Sequence, residues 1–330
     1  MIVGRSSMRT NDLEIARQPS RAPDERERDR ADGSAGQVSP RVATYALVSP
    51  VRSEAANLER IVACLERQTV TPSRWIIVDN GSTDATPAVV AELEQRHGWV
   101  TGVSIPGADR ALPGSPVVRA FHAGLELLPS PWPDVVVKLD VDTTFEPDHF
   151  QVLLEAFAAD QRLGIAGGVC LEERGGEWTP THVTSDHVRG AVRAYRRECL
   201  VDVLPLEDGM GWDGIDELKA QSRGWQTRIL PGLSFRHHRP VGARDGGSHR
   251  RRLAEGRGAH YMGYRPSYLF ARSLFQARHD PRALAMVVGY LDSALRRRPV
   301  LDDPDAVRHL REKQRFRSLR HRAREARGGV

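Results

Sequence analysis

From Val42 onward, short apolar runs alternate with amphipathic stretches. Val42 to Val48 predicts a strand, and Asn57 to Leu65 a helix with Leu58, Ile61, Val62 and Leu65 on one face. Arg74 to Val78 predicts a second strand, and Ser82-Thr83-Asp84 supplies N-cap chemistry for a helix through Leu93. Val100 to Ile105 reads as a third strand, Val117 to Leu128 as a helix and Val135 to Leu139 as a fourth strand. Strands alternating with helices predict a mainly parallel, Rossmann-like sheet with helices on both faces. Ligands of such sheets sit outside the carboxyl ends of the strands. Here those ends carry Ser49-Pro50, Asp79-Asn80 and Asp140-Val141-Asp142, so three polar clusters are expected to converge on one rim.

The second half is less regular. Ile165 to Cys170 predicts a strand, Val188 to Arg197 a helix, Gly214 to Ser222 a helix and Thr227 to Leu230 a closing strand. Helices are expected at Pro266 to Ala277 and Pro281 to Arg297. The latter puts Leu284, Val287, Val288, Leu291 and Leu295 on one face. Residues 1–40, rich in charge, Ser, Pro and Gly, cannot bury enough surface to offset ordering entropy and are expected to be disordered. The expected organisation is therefore that segment, a catalytic unit over 41–240 and a basic, mostly helical extension over 241–330.

Hydrophobic residues make up 40% of the 330, and no window approaches a membrane-spanning helix. With no apolar signal segment at the N-terminus, the sequence reads as cytoplasmic. The net charge is +5, and His249 to Arg252 and Arg311 to Arg327 are dense basic stretches suited to phosphates, nucleic acid or an anionic membrane face, or simply to solvent. Three scattered cysteines predict neither disulfides nor a zinc site.

The strongest chemical signal is Val135-Val136-Val137-Lys138-Leu139-Asp140-Val141-Asp142, a buried strand running into two carboxylates. Hard oxygen ligands at a strand end can hold Mg²⁺ or Mn²⁺, which neutralises a substrate diphosphate. In Ile76-Ile77-Val78-Asp79-Asn80-Gly81-Ser82-Thr83-Asp84, Asp79 and Asn80 can bind a base or ribose. Gly81 permits the turn there, while Ser82 and Asp84 read as turn and cap residues.

Together these segments resemble family-2 glycosyltransferases, whose catalytic domain has the fold called GT-A. The resemblance runs from Ser49-Pro50-Val51-Arg52-Ser53-Glu54-Ala55-Ala56-Asn57-Leu58 through the two acidic motifs to Gly211-Trp212-Asp213-Gly214-Ile215-Asp216-Glu217-Leu218-Lys219 and Arg236-His237-His238-Arg239. It implies that Pro50, Arg52, Glu54, Asp79 and Asn80 surround the donor nucleoside, uridine being the family's commonest. Asp140 and Asp142 would carry the metal and the donor's ribose and phosphates. Two departures stand out: Ser53 and Asn80 occupy positions where the family usually has Asn and an acid. The family's base follows a Glu at the start of a late helix. Asp216 matches it without that Glu, and Glu217 and Asp213 are the fallback bases. One such carboxylate would take the acceptor hydroxyl's proton in a direct, inverting displacement.

One of His237 and His238 can complete the metal shell. Strand alternation points only one inward, and His238 is the expected ligand. A Tyr-Arg-Arg element at Tyr195, Arg196 and Arg197, on the helix that also carries Arg189 and Arg193, and Trp212 beside the base are expected to face the acceptor. The partners implied are a nucleotide-sugar donor and a saccharide or lipid-linked acceptor, with no nucleic acid. The aromatic and arginine mixture from Tyr261 to Arg297 suits the inner membrane face or, by default, packing on the catalytic unit. Two competing functions are nucleotidyl transfer to a sugar phosphate and nucleic-acid binding. The first wants a glycine-rich loop that Ser49 to Asn57 lacks. The second wants aromatics interleaved with the charges, and the Arg-rich tail has only Phe316.

Overall fold

The structure, a computed structural model, describes residues 43–107, 115–181, 187–209, 211–239 and 248–315. Residues 1–40, expected to be disordered, and the basic stretch beyond residue 315 lie outside the described residues.

The first half follows the alternation in the sequence: β1 (Tyr45–Val51), α1 (Ala55–Glu66), β2 (Arg74–Asn80), α2 (Thr86–Arg96), β3 (Val100–Ile105), α3 (Ser115–Leu125) and β4 (Val135–Leu139). β5 (Thr143–Phe145), α4 (His149–Ala159), β6 (Leu163–Arg174), β7 (Glu177–Pro180), β8 (Val192–Arg196) and α5 (Arg197–Val203) follow. Then come α6 (Trp212–Ser222), β9 (Gln226–His237), α7 (Ser248–Tyr261), α8 (Pro266–Ala277), a 3-10 turn (Pro281–Leu284), α9 (Ala285–Leu295) and α10 (Pro304–Lys313).

The strands form one sheet in the order β3-β2-β1-β4-β8-β6-β9-β5, with β7 added to β6. β1 pairs in parallel with β2 and β4, and β2 with β3. Nearly every residue of β1, β2 and β4 is buried, because helices cover both faces. One layer sets Leu58, Ile61 and Leu65 of α1 and Phe150 and Phe157 of α4 against alternate strand residues; the other uses Val118 and Phe121 of α3 and Leu200 and Val203 of α5.

Two expectations are corrected. Val188 to Arg197 is not a helix: residues 192–196 form β8, antiparallel to β4 and β6, and α5 starts only at Arg197. A Tyr, Val and Ala alternation flanked by arginines carries both periods, and pairing between two buried strands decides it. In α9, the side expected to pack is turned outward. Leu284, Val288, Leu291 and Leu295 are exposed, while Met286, Gly289 and Ser293 are buried. The cause is the close approach of α7 and α9: a Cβ on Gly289 would stand 2.1 Å from Leu253 O, and one on Gly256 2.0 Å from Met286 O. Small residues therefore face inward, leaving the large ones outside. α10 closes on α6 through Ile215, Leu218, Leu301, Ala306 and Leu310.

Candidate active site

The parallel register brings the ends of β1, β2 and β4 together, with Val51 beside Asp79. At the first two ends the residues lock one another. Asp79 Oδ1 accepts from the Ser82 amide at 3.1 Å and from its hydroxyl, and Ser82 Oγ accepts from the Ser53 amide at 2.8 Å. Asn80 Nδ2 donates to Pro116 O at 3.3 Å. Asp84 accepts from the Thr86 hydroxyl at 2.6 Å, the turn role expected of it. Gly81 has φ +71°, and a Cβ there would lie 2.7 Å from Gly107 Cα, so Gly is required. Ser53 also has a positive φ of 56°, a conformation Asn tolerates better than Ser, which gives the family's Asn a physical reason. Arg52 reaches towards this cleft, its guanidinium 3.9 Å from a Cβ placed on Gly107, while Pro50 sits within β1 beside Val78.

At the end of β4, Lys138 is almost fully buried, and its Nζ donates to Asp140 Oδ1 at 2.5 Å and to Gly190 O at 2.8 Å. Burial pushes the Asp140 carboxyl above its ordinary range, with Lys138 pulling it down and Asp142 adding to the rise. Asp142 lies between His237, whose Nε2 is 3.3 Å from Oδ1, and Arg239, whose guanidinium is 3.3 Å from Oδ2. Burial opposes its charge, but those two cations and Lys138 hold it below the usual carboxylate range. Arg239 also donates to Glu54 Oε2 at 2.7 Å and so ties the end of β1 to that of β4.

Strand alternation does point one histidine inward, but it is His237. His238 faces away, with Nε2 2.9 Å from Thr144 Oγ1 and its ring edge-on to Trp178. Burial would lower His237, but Asp142, Cys170 and Asp140 together push it up to about 10. Cys170, Glu172 and His237 offer ligand atoms within 4.8 Å of one another. Asp142 Oδ1, Glu172 Oε1 and His237 Nδ1 are buried without a hydrogen-bond partner. Buried carboxylate oxygens whose hydrogen-bonding capacity is unfilled, next to a buried imidazole, fit a divalent cation.

The third wall is built by β8 and α6. The Asp140 amide donates to Ala191 O at 2.7 Å, which brings the Gly190 segment alongside the acidic pair. Gly190 in turn packs on α6: a Cβ there would lie 2.9 Å from the Trp212 ring and 3.5 Å from Asp213 Oδ2. Asp213 is thus the half-buried carboxylate on the same side as Asp140.

Asp216 is not. It is 1% exposed, paired with Arg193 Nε at 3.0 Å and Nη2 at 2.5 Å, and accepts from Tyr195 Oη. Burial pushes it up to about 7 despite the pull of Arg193. Glu217 accepts from the Val188 amide at 2.7 Å and Arg193 at 3.0 Å, and lies 3.1 Å from His187. Both expected bases are therefore occupied holding α6 against β8.

The expected acceptor residues are also placed elsewhere. Trp212 is 8% exposed, its ring 5.6 Å from Lys138 Nζ and 5.8 Å from the Arg193 guanidinium, with no open face for a sugar. Arg196 pairs with Val135 at the opposite end of β4 and is bound by the carbonyls of Phe157, Asp160 and Leu163. Arg197 is held there by Trp132 O and Asp134. Arg189, just before the Gly190 segment, keeps a buried Nε without a hydrogen-bond partner among the described residues.

An α/β sheet with polar side chains at two adjacent strand ends and an acidic pair at a third places its chemistry where such sheets bind ligands. Residues 46–199 match the model of Glycosyl transferase family 2. The mannosyltransferase PcManGT of Pyrobaculum calidifontis, solved with GDP-Man and Mn²⁺, is similar in fold, with a TM-score of 0.50 at 16% identity over 86% of this chain and 79% of that one. GalNAc-T7, solved with UDP, GalNAc and Mn²⁺, gives 0.56 at 12% identity, over 77% of this chain and 55% of that one. The architecture is GT-A. No curated protein sequence matches the chain significantly. Among the described residues, no helix is long and apolar enough to cross a membrane.

Proposed function

We propose that this glycosyltransferase moves a sugar from a nucleoside-diphosphate donor, a UDP-sugar, to a saccharide or lipid-linked hydroxyl with inversion. What supports the proposal is the placement of Asp79, Asn80 and Arg52 at the ends of β1 and β2, of Asp140 and Asp142 after β4 with His237 beside Asp142, and of Asp213 against Gly190, whose carbonyl shares Lys138 with Asp140.

In this reading Asp79, Asn80 and Arg52 hold the nucleoside. Asp142 and His237 hold Mn²⁺ or Mg²⁺, and Asp140 faces the ribose and phosphates. The metal supplies charge neutralisation for the leaving diphosphate. Lys138 fixes Asp140 from below, and Arg239, already shared between Glu54 and Asp142, can turn to a phosphate oxygen. Asp213 replaces Asp216 as the base: it takes the acceptor hydroxyl's proton as that oxygen attacks the anomeric carbon from the face opposite the diphosphate. Arg193, Tyr195 and Asp216 position α6 so that Asp213 faces the rim. Asp213 and His237 lie outside the residues matched by the family, so their roles rest on geometry alone.

The test is a thermal-shift panel of nucleoside diphosphates with and without Mn²⁺. UDP with Mn²⁺ is expected to raise the Tm, and Asp142→Ala to remove the metal-dependent part. A shift unchanged in Asp142→Ala would remove the metal assignment, and no shift with any nucleotide would remove the donor site.

A further inference from the structure

Most of the exposed large apolar side chains of the described chain are gathered in one region. Phe270, Leu274 and Phe275 project from α8, and Leu284, Val288, Leu291 and Leu295 run along the 3-10 turn and α9; each is between 49% and 83% exposed. On α9 the spacing of four, three and four residues places them in a single stripe. This is not a core face left uncovered by poor packing. The inward side is fully engaged through Gly289, Gly256, Met286 and Ser293, where backbone meets backbone.

The same region is strongly cationic. Residues 248–298 hold eleven arginines against three acidic residues, a net +8, whereas the whole chain is +5. The acids are already engaged: Glu255 with Arg251 and Arg252, Asp280 with Arg252, and Asp292 with Arg257, Arg296 and Arg298. Arg278 stacks over Phe275 with its guanidinium 5.5 Å from the ring, joining charge to apolar surface.

We propose that α8 and α9 dock this enzyme on an anionic phospholipid surface, the apolar stripe entering the headgroup boundary and the arginines pairing with lipid phosphates. Charge selects this occupant. A second copy would oppose one +8 surface with another, and a soluble polyanion would leave the apolar stripe in water. With no spanning helix among the described residues, the contact is peripheral. The inference deepens the proposed function by placing its acceptor at a lipid surface, and it rests on that reading for this step alone.

The test is co-sedimentation of the full chain with phosphatidylglycerol-containing vesicles and with pure phosphatidylcholine vesicles, at low and high salt. Binding is expected only to the anionic vesicles and weakened by salt. It should fall at least about tenfold in the double variant Val288→Asp, Leu291→Asp, whose side chains are already exposed. The UDP–Mn²⁺ thermal shift, measured on the same preparations, should be unchanged in that variant. If the wild-type chain shows the nucleotide shift but binds no vesicles, this inference fails and the transferase reading stands. Equal sedimentation of the double variant, or a dimer in light scattering that the variant turns into a monomer, would overturn the lipid assignment.

Discussion

Exchanging one oxygen for nitrogen separates the two acids at the start of α6. In Asp216→Asn the buried, 0%-exposed guanidinium of Arg193 loses its bidentate partner and keeps only Glu217, Tyr195 and two carbonyls. Breaking one side of a buried ion pair costs about 3–5 kcal/mol, a large part of the stability of any single domain. Asp213 is half-buried and its carboxylate makes no ion pair among the described residues. Its loss removes at most a helix N-terminal charge, about 0.3–1 kcal/mol. In its proposed role as base, however, Asp213 would carry proton transfer, so Asp213→Asn should lower kcat by about 10²–10⁴ with KM for the donor nearly unchanged. Urea unfolding measures the first quantity, and product formation from a radiolabelled donor the second. The reasoning is refuted if Asp216→Asn unfolds at the wild-type urea concentration while losing turnover, or if Asp213→Asn keeps its kcat within a few-fold.

Three further outcomes follow from the packing. Ser53→Val puts a β-branched residue at φ 56° and should cost about 1–2 kcal/mol in urea unfolding, while Ser53→Asn should cost nothing. Gly289→Ala drives a Cβ to within 2.1 Å of Leu253 O, so it should lower stability by about 1–3 kcal/mol on thermal melting, where an open helix site would gain from alanine. Buried His149 is held down to about 4, so the unfolded chain takes up its proton first: stability is full above about pH 6.5 and falls by about 3 kcal/mol as pH drops to 4. His149→Gln, which cannot titrate there, should flatten that slope in pH-dependent urea unfolding.

The half of the sheet that repeats strand and helix was legible because β1, β2 and β4 are buried on both faces and each helix on one, so period and burial agree. The rim followed from it: Asp79, Asn80, Asp140 and Asp142 all stand at strand ends. What failed lies where two readings share a pattern. Residues 192–196 alternate like a strand inside a stretch that also fits a helix, and only their place between β4 and β6 decides. With the helix gone, Arg196 moved to the far end of the sheet. Asp216 is the first candidate on paper, with Glu217 and Asp213 behind it, because nothing in the local sequence says that Arg193, some twenty residues earlier, will claim Asp216 and Glu217. The single signal that could have been used is the fully apolar setting of Arg193 between Val192 and Ala194, where a buried cation requires carboxylate partners. The stripe on α9 was legible as a face, but periodicity defines a side without saying what covers it.

The rim also shows why its acids tolerate one another. Two carboxylates one residue apart, both shielded from water, would share a proton if left alone. Here Lys138 is bound to Asp140, and His237 and Arg239 flank Asp142. His237, held up at about 10, is charged at neutral pH beside Asp142, while Glu54 on Arg239 and Glu172 beside His237 add two more acids to this rim. A divalent cation finds Asp142 ionised but must displace the His237 proton to use its nitrogen. Arg239 can leave Asp142 without becoming a lone buried charge, because Glu54 still holds it. Asp142 is thus kept charged by partners that can each be released, unlike the fully buried pairing of Arg193 with Asp216.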